Sequence, residues 1–88
     1  MDAKIYIEPI QLYGLRWDIL IYAEYIRIGC ETHTIDEWKS FKRNHISQMD
    51  TKAWDWWKKY KPIIIPLADN HLEKHLEAKA EYEKEQGE

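Results

Sequence analysis

The sequence predicts an α+β fold in which a small antiparallel sheet of two or three strands is followed by two short helices and a longer C-terminal helix. Three observations predict it: Ile and Tyr alternate in the first third, helix-capping pairs stand in the middle, and helix-forming residues fill the last third. Because 88 residues are too few for two self-supporting cores, we expect a single domain. Its β-rich part spans 1–30, its helical part 31–61 and its acidic C-terminal helix 62–88.

Two segments of the first third show the period-2 alternation of half-buried strands. The first is 4–10, which Pro9 restricts to a sheet edge because proline has no backbone donor. The second is 16–28, with a turn expected near Ala23–Glu24. A helix over 15–29 would also align its apolar residues, and the Ile and Tyr content favours strands over that alternative.

The middle of the chain carries two helix-start signals. Thr34 precedes Glu37 at capping-box spacing, which predicts a helix over 34–43. A second pair of this kind begins at Ser47 and predicts a helix over 47–61, whose apolar stripe is rich in tryptophan.

Prolines shape the expected start of the last segment. Pro62 is expected to end the preceding helix, and 62–66 is expected to be extended, since residues before prolines avoid the helical region. A final helix follows over 67–86. Its apolar stripe is narrow, and glutamates crowd its C-terminal end, so the last turns are expected to fray.

Composition limits the compartment and the class of protein. The single Cys30 excludes an internal disulfide framework and fits a reducing cytoplasm. No apolar run approaches the roughly 18 residues of a membrane span, and the N-terminal sequence lacks the pattern of a secretion signal. We therefore expect a cytoplasmic protein that does not enter a membrane.

Few residues suggest catalysis or metal binding. The sequence has no phosphate-binding glycine loop and no nucleophile motif. Cys30 and His33 could supply two ligands, and His71 and His75 two more, but a metal site needs about four ligands together. We expect a half-buried cysteine with a turn histidine, and a solvated face for the second pair. The predictions are no enzyme activity, no metal and no cofactor, with a metal-dependent module as the weakest alternative.

The leading functional hypothesis is a protein-binding module. Eleven of the twelve aromatic residues are Trp or Tyr, which are enriched where proteins meet. Trp54 is expected on the solvent side of its helix and is the best candidate for a dominant contact. The predicted partner-binding residues are Trp54, Lys58, Lys61, His71 and His75. The narrow stripe of the last helix makes a second copy of the chain one possible partner.

The alternative is single-stranded nucleic-acid binding through the helix 47–61, where bases would stack on aromatic rings and lysines would neutralise phosphates. The overall net charge of −3 weakens this alternative. The residues predicted for it are Lys39, Lys42, Arg43, Lys52, Lys58, Lys59 and Lys61.

A resemblance adds to this interpretation. The run from Ile26 to Trp38, followed by Phe41, Ile46, Met49, Asp50, Ala53, Trp56, Trp57, Tyr60 and Lys61, resembles small uncharacterised bacteriophage and prophage accessory proteins. The resemblance covers roughly 16–61. It implies a non-catalytic product that acts on a host or phage macromolecule, for example by inhibiting a host protein, and it carries over no functional residue.

Overall fold

The computed structural model describes residues 6–49 and 52–86. Within them an antiparallel sheet is followed by helices and ends in one long helix, which confirms the α+β class. The elements are β1 Ile10–Leu12, β2 Ile19–Tyr22, β3 Tyr25–Ile28, β4 Glu31–Thr34, α1 Ile35–Ser40, α2 Arg43–Met49 and α3 Ala53–Gln86.

The sheet is a four-stranded meander in the order β1-β2-β3-β4. The strand interpretation is confirmed from Ile19 to Ile28, since Tyr22 pairs with Tyr25 across a two-residue turn at Ala23–Glu24. The first residues of the predicted segment, 16–18, lie ahead of β2. Ala23 has a φ of 49°, and such positive φ values give a tight hairpin the twist of its strands.

The strand count corrects the expectation of two or three strands. The strand expected at 4–10 begins only at Ile10, and the described residues ahead of it are not in a strand. The additional strand, β4, has the polar sequence ETHT. Its sequence shows no apolar alternation. Since β4 is an edge strand, its pairing with β3 rather than burial of apolar side chains holds it in the sheet.

Helix α1 begins as predicted. The Glu37 N–H donates to Thr34 Oγ1 at 3.1 Å, and the Thr34 N–H donates to Glu37 Oε1 at 2.9 Å, so each side chain satisfies an amide of the first turn. The helix ends at Ser40, before the predicted 43, because Phe41 is already extended at φ −62° and ψ 131°.

The predicted helix 47–61 is wrong at both ends. Helix α2 ends at Met49, and α3 begins at Ala53 and runs through Pro62 and Pro66 to Gln86. The extended structure expected for 62–66 is therefore also wrong. Each interior proline costs a helix about 3 kcal/mol, but Ile64 and Ala68 between and after them are fully buried in the core. Asp50, the second residue of the predicted cap, lies outside the described residues.

Helix α3 sets the long axis of the molecule. Its 34 residues span about 51 Å at 1.5 Å per residue, and the longest dimension of the molecule is 52 Å. The sheet and both short helices pack on α3. The buried side chains of α3 repeat at spacings of three, four and seven residues, so one continuous face is covered along most of its length; they are Ala53, Trp57, Ile64, Ala68, His71 and His75.

The core lies between that face and the two central strands. Ile19, Ile21 and Ile26 of the sheet meet Trp57 and Ile64 of α3, and all five are at most 2% exposed. Among the described helices, none has the length and apolar character needed to cross a membrane.

Candidate protein-binding cleft

Four of the five tryptophans surround a cleft of about 130 Å³ at one end of the sheet. The walls come from the segment before β2, the turn between β3 and β4, and all three helices. The lining residues are Trp17, Ile28, Gly29, Cys30, Glu31, Trp38, Ile46, Met49, Ala53, Trp56 and Trp57.

Ring contacts fix the tryptophan walls. Trp17 meets Trp56 edge to face, with centroids 5.1 Å apart, and Trp38 meets Trp57 at 5.2 Å. Both separations fall in the range that aromatic pairs prefer. The first pair joins the entry to the sheet with α3, and the second joins α1 with α3, so the cleft depends on the packing of the whole domain.

Gly29 allows the wall around Trp17 to close. Its φ of 61° lies in the left-handed region, and a Cβ at this position would stand 3.2 Å from Trp17 Cδ1. The turn between β3 and β4 therefore needs glycine both for its backbone conformation and for the close approach of the indole.

The indole N–H groups in the walls differ in their bonding. Trp38 Nε1 donates to the carbonyl oxygen of Ile26 at 2.8 Å. Trp56 Nε1 and Trp57 Nε1 are buried and have no hydrogen-bond partner among the described residues. A buried donor without a partner costs about 1–3 kcal/mol, and such groups are uncommon in ordinary cores.

The rim of the cleft is polar. Cys30 is exposed there, and Glu31 is half-buried, with its Oε1 atom 3.2 Å from His33 Nε2. Glu31 and Met49 also line an adjoining polar depression of about 310 Å³, together with His45 and Gln48. An apolar centre beside a polar, accessible rim is the usual anatomy of a protein-binding surface.

Comparison with protein families, curated proteins and solved structures found no match. What the cleft can bind is therefore inferred from its own residues and their geometry.

The structure places the predicted partner-binding residues of α3 away from this cleft, and none of them lines it. Trp54 is half-buried and packs against the core, which differs from the expected solvent-side position. Lys58 Nζ lies 6.0 Å from the Trp54 ring centroid and 3.7 Å from Asp55 Oδ1. Lys61 Nζ donates to the Lys39 carbonyl at 3.0 Å.

The histidine pair corrects the expectation of a solvated helix face. His71 and His75 are each only 6% exposed, because the segment ahead of β1 covers them. His71 Nε2 lies 2.7 Å from the Glu8 carbonyl oxygen. A partner could reach this pair only after that segment moved.

Cys30 and His33 also differ from expectation. The cysteine is exposed rather than half-buried. His33 belongs to β4 rather than to a turn, and its ring packs edge-on against Trp38 and Phe41. Within the described parts of the chain, no three His, Cys, Asp or Glu side chains are placed to hold a metal ion.

Some of the basic residues predicted for nucleic-acid binding already make contacts with other side chains of the chain. Lys39 Nζ pairs with Asp69 Oδ1 at 3.1 Å, and Lys59 Nζ lies 5.5 Å from the Tyr60 ring centroid. Lys42, Arg43 and Lys52 are exposed. The tryptophans of α3 turn largely into the core and the cleft, which leaves little aromatic surface on which bases could stack.

The cleft is not recognisable in the sequence, because its walls meet only in the folded chain. Trp17, Gly29 and Met49 stand in three separate segments, and none of them belongs to a recognisable motif. One signal was present: tryptophan is unusually abundant for 88 residues. That abundance indicated an aromatic site without giving its position.

Proposed function

We propose that this chain is a non-enzymatic protein-binding module whose tryptophan-lined cleft receives one apolar side chain of a partner protein. The observation that carries the proposal is the cleft itself, with four indoles around an apolar centre that reaches the surface at Cys30. Interface energy concentrates where a few large side chains enter desolvated pockets of this kind.

The size of the cleft suits a single side chain. An enclosed apolar cavity of about 150 Å³ holds benzene, and this cleft, at about 130 Å³, is slightly smaller but open to the surface. One aromatic ring or one branched aliphatic group therefore fills it. The adjoining polar depression at Glu31 and His45 supports a protein partner, because a longer ligand can lie across it.

The expected partner follows from the resemblance to phage accessory proteins, which favours a host protein. That identity remains a prediction, as does the contribution of Trp54, Lys58 and Lys61 to binding.

A test uses the position of the only cysteine in the chain. Short peptides that bind the protein are selected from a random displayed library, and their affinities are measured before and after Cys30 is modified with N-phenylmaleimide. We expect the peptides to share one apolar residue and to lose affinity about 30-fold or more on modification, the loss typical of a dominant contact.

Two control variants separate blocking of the cleft from general damage. Cys30→Ser treated with the reagent should keep its affinity. A second variant combines Cys30→Ser with Glu73→Cys, which places the label on an exposed position of α3 that does not line the cleft. Peptides without a shared apolar residue, or equal losses from the two labelled positions, would contradict the proposal.

The nucleic-acid alternative has its own measurement. It predicts binding to single-stranded oligonucleotides that weakens steeply with added salt, because lysine contacts release counterions. The ion pair of Lys39 with Asp69 weakens this alternative, because Lys39 belongs only to the residues predicted for nucleic-acid binding. Tight, salt-sensitive oligonucleotide binding that survives modification of Cys30 would place it ahead of the protein-binding proposal.

A further inference from the structure

The described segment ahead of β1, residues 6–9, forms an arm along the C-terminal half of α3. The Glu8 carbonyl oxygen lies 2.7 Å from His71 Nε2. The Tyr6 ring centroid lies 5.4 Å from that of His75 and 5.5 Å from that of Tyr82. The arm is therefore held through ring-bearing side chains on one face of the helix, two of them histidines.

The hydrogen bond to the arm defines which ring nitrogen of His71 carries the hydrogen. A carbonyl oxygen only accepts, so Nε2 must carry the hydrogen and donate it to Glu8. In the neutral ring Nδ1 is then a bare acceptor. Nδ1 of His71 and Nδ1 of His75 are both buried without a partner in the part of the chain that the structure describes.

Adding a proton to this pair is unfavourable while the arm is in place. Two imidazolium rings one helical turn apart would repel each other, and each would bury an N–H group with no acceptor. Burial is the largest cause that lowers the pKa of His75, and His71 and Lys79 lower it further. Glu24, in the turn between β2 and β3, acts in the opposite direction.

The remaining groups around the pair supply little compensating charge. Tyr6 and Tyr82 face the pair and each other through their aromatic rings. Glu8 contacts His71 through its backbone carbonyl, and its residue is exposed. Glu24 is thus the one acidic neighbour that favours the charged form of His75 among those identified for it.

We propose that the arm is a pH-sensitive latch, closed on α3 while His75 is neutral and released when His75 takes up a proton. Release hydrates both rings and separates Tyr6 from Tyr82. Release also uncovers the face of α3 around His71 and His75. The core of β2, β3 and α3 stays folded, because the buried α3 residues of that core lie N-terminal to His71.

The sign follows from proton linkage. Because His75 binds its proton less readily with the arm closed than in a solvated ring, the open form takes up more protons. The closed latch is fully favoured above about pH 6.5, which is the ordinary pKa of a histidine side chain. It loses stability as the pH falls below that value.

The test is an NMR titration of the full chain from about pH 7.5 to about pH 5.5, across the range where histidine changes charge. The readouts are the nuclear Overhauser effects between the Tyr6 ring and the rings of His75 and Tyr82, and the backbone mobility of residues 6–8. We expect the ring contacts to be lost and the arm to become mobile at the midpoint at which His75 titrates.

Variants assign the effect to this pair. His71→Gln combined with His75→Phe keeps a side-chain donor and an aromatic ring but removes both imidazoles, so the ring contact between Tyr6 and Tyr82 should persist at both pH values. His45→Gln, at an exposed position, should leave the response unchanged. If the double variant does not fold, the titration of the wild-type chain decides.

Two outcomes would overturn the latch. In the first, His75 becomes protonated while the Tyr6 ring contacts remain. In the second, the arm detaches at the midpoint of His33 or His45 instead.

Discussion

The indole N–H of Trp38 donates a 2.8 Å hydrogen bond to the backbone carbonyl oxygen of Ile26. This bond joins α1 to the middle of β3, at a position where both residues are at most 2% exposed. The same indole forms part of the cleft wall. The wall is therefore held to the sheet by a directed bond as well as by packing.

Trp38→Phe should destabilise the protein by about 1 kcal/mol, because it removes a buried hydrogen bond to the Ile26 carbonyl, which keeps its place in the ladder opposite His33. Urea denaturation followed by circular dichroism measures the change in the free energy of unfolding. Trp54→Phe is the matched control, since Trp54 is only half-buried and makes no hydrogen bond of this kind in the described structure. Equal losses in the two variants would show that the bond adds nothing beyond packing.

The capping box of α1 should make stability depend on pH in the acid range. The pKa of Glu37 lies below its ordinary value of 4.5, chiefly because its carboxylate accepts a hydrogen bond from the Thr34 backbone N–H. A hydrogen bond with the Thr34 side chain lowers the pKa further. The unfolded chain then binds the proton first, so this contribution is complete above about pH 4.5 and is lost as the pH falls further.

Denaturation curves over the acid range, compared between wild type and Glu37→Gln, measure the capping contribution. Glutamine can still accept the Thr34 N–H bond but does not titrate, so the variant should show a shallower loss of stability in acid. Parallel curves for the two proteins would contradict the assignment to Glu37.

Gly29→Ala should destabilise the turn between β3 and β4 and disturb the cleft. An L residue at a φ of 61° costs about 1–2 kcal/mol, and the added Cβ also presses on Trp17 at 3.2 Å. Gly14→Ala is the control, since its φ is 89° but nothing lies within 4 Å of the added carbon. Near-UV circular dichroism should change for the Gly29 variant alone, because only there does an indole move.

Pro66→Ala should stabilise the protein. Proline inside a helix costs about 3 kcal/mol relative to alanine, a net value that already includes the unfolded chain, so a gain of up to about 3 kcal/mol is expected. Pro66 is exposed, so little packing is lost. Pro9→Ala, outside any helix or strand, should give no such gain. A loss of stability in the Pro66 variant, measured by urea denaturation, would mean that the proline ring itself is needed.

Local chemistry in the sequence determined the elements whose signals lie within a few residues. Alternating Ile and Tyr predicted the hairpin of β2 and β3, and Thr34 with Glu37 predicted the start of α1, because strand faces and helix caps are set by neighbouring side chains. The class of fold followed from those segments. The abundance of tryptophan indicated an aromatic site but left its position open.

The tertiary structure decided what depends on burial between distant segments. Helix α3 continues through Pro62 and Pro66 because the sheet buries Ile64 and Ala68, a gain that no local propensity contains. His71 and His75 are covered by an arm more than sixty residues earlier in the chain. The cleft likewise exists only where the turn at Gly29 meets the helices. Hydrophobic burial and hydrogen bonding act between whatever surfaces meet in space, so these features could not be derived from sequence spacing alone.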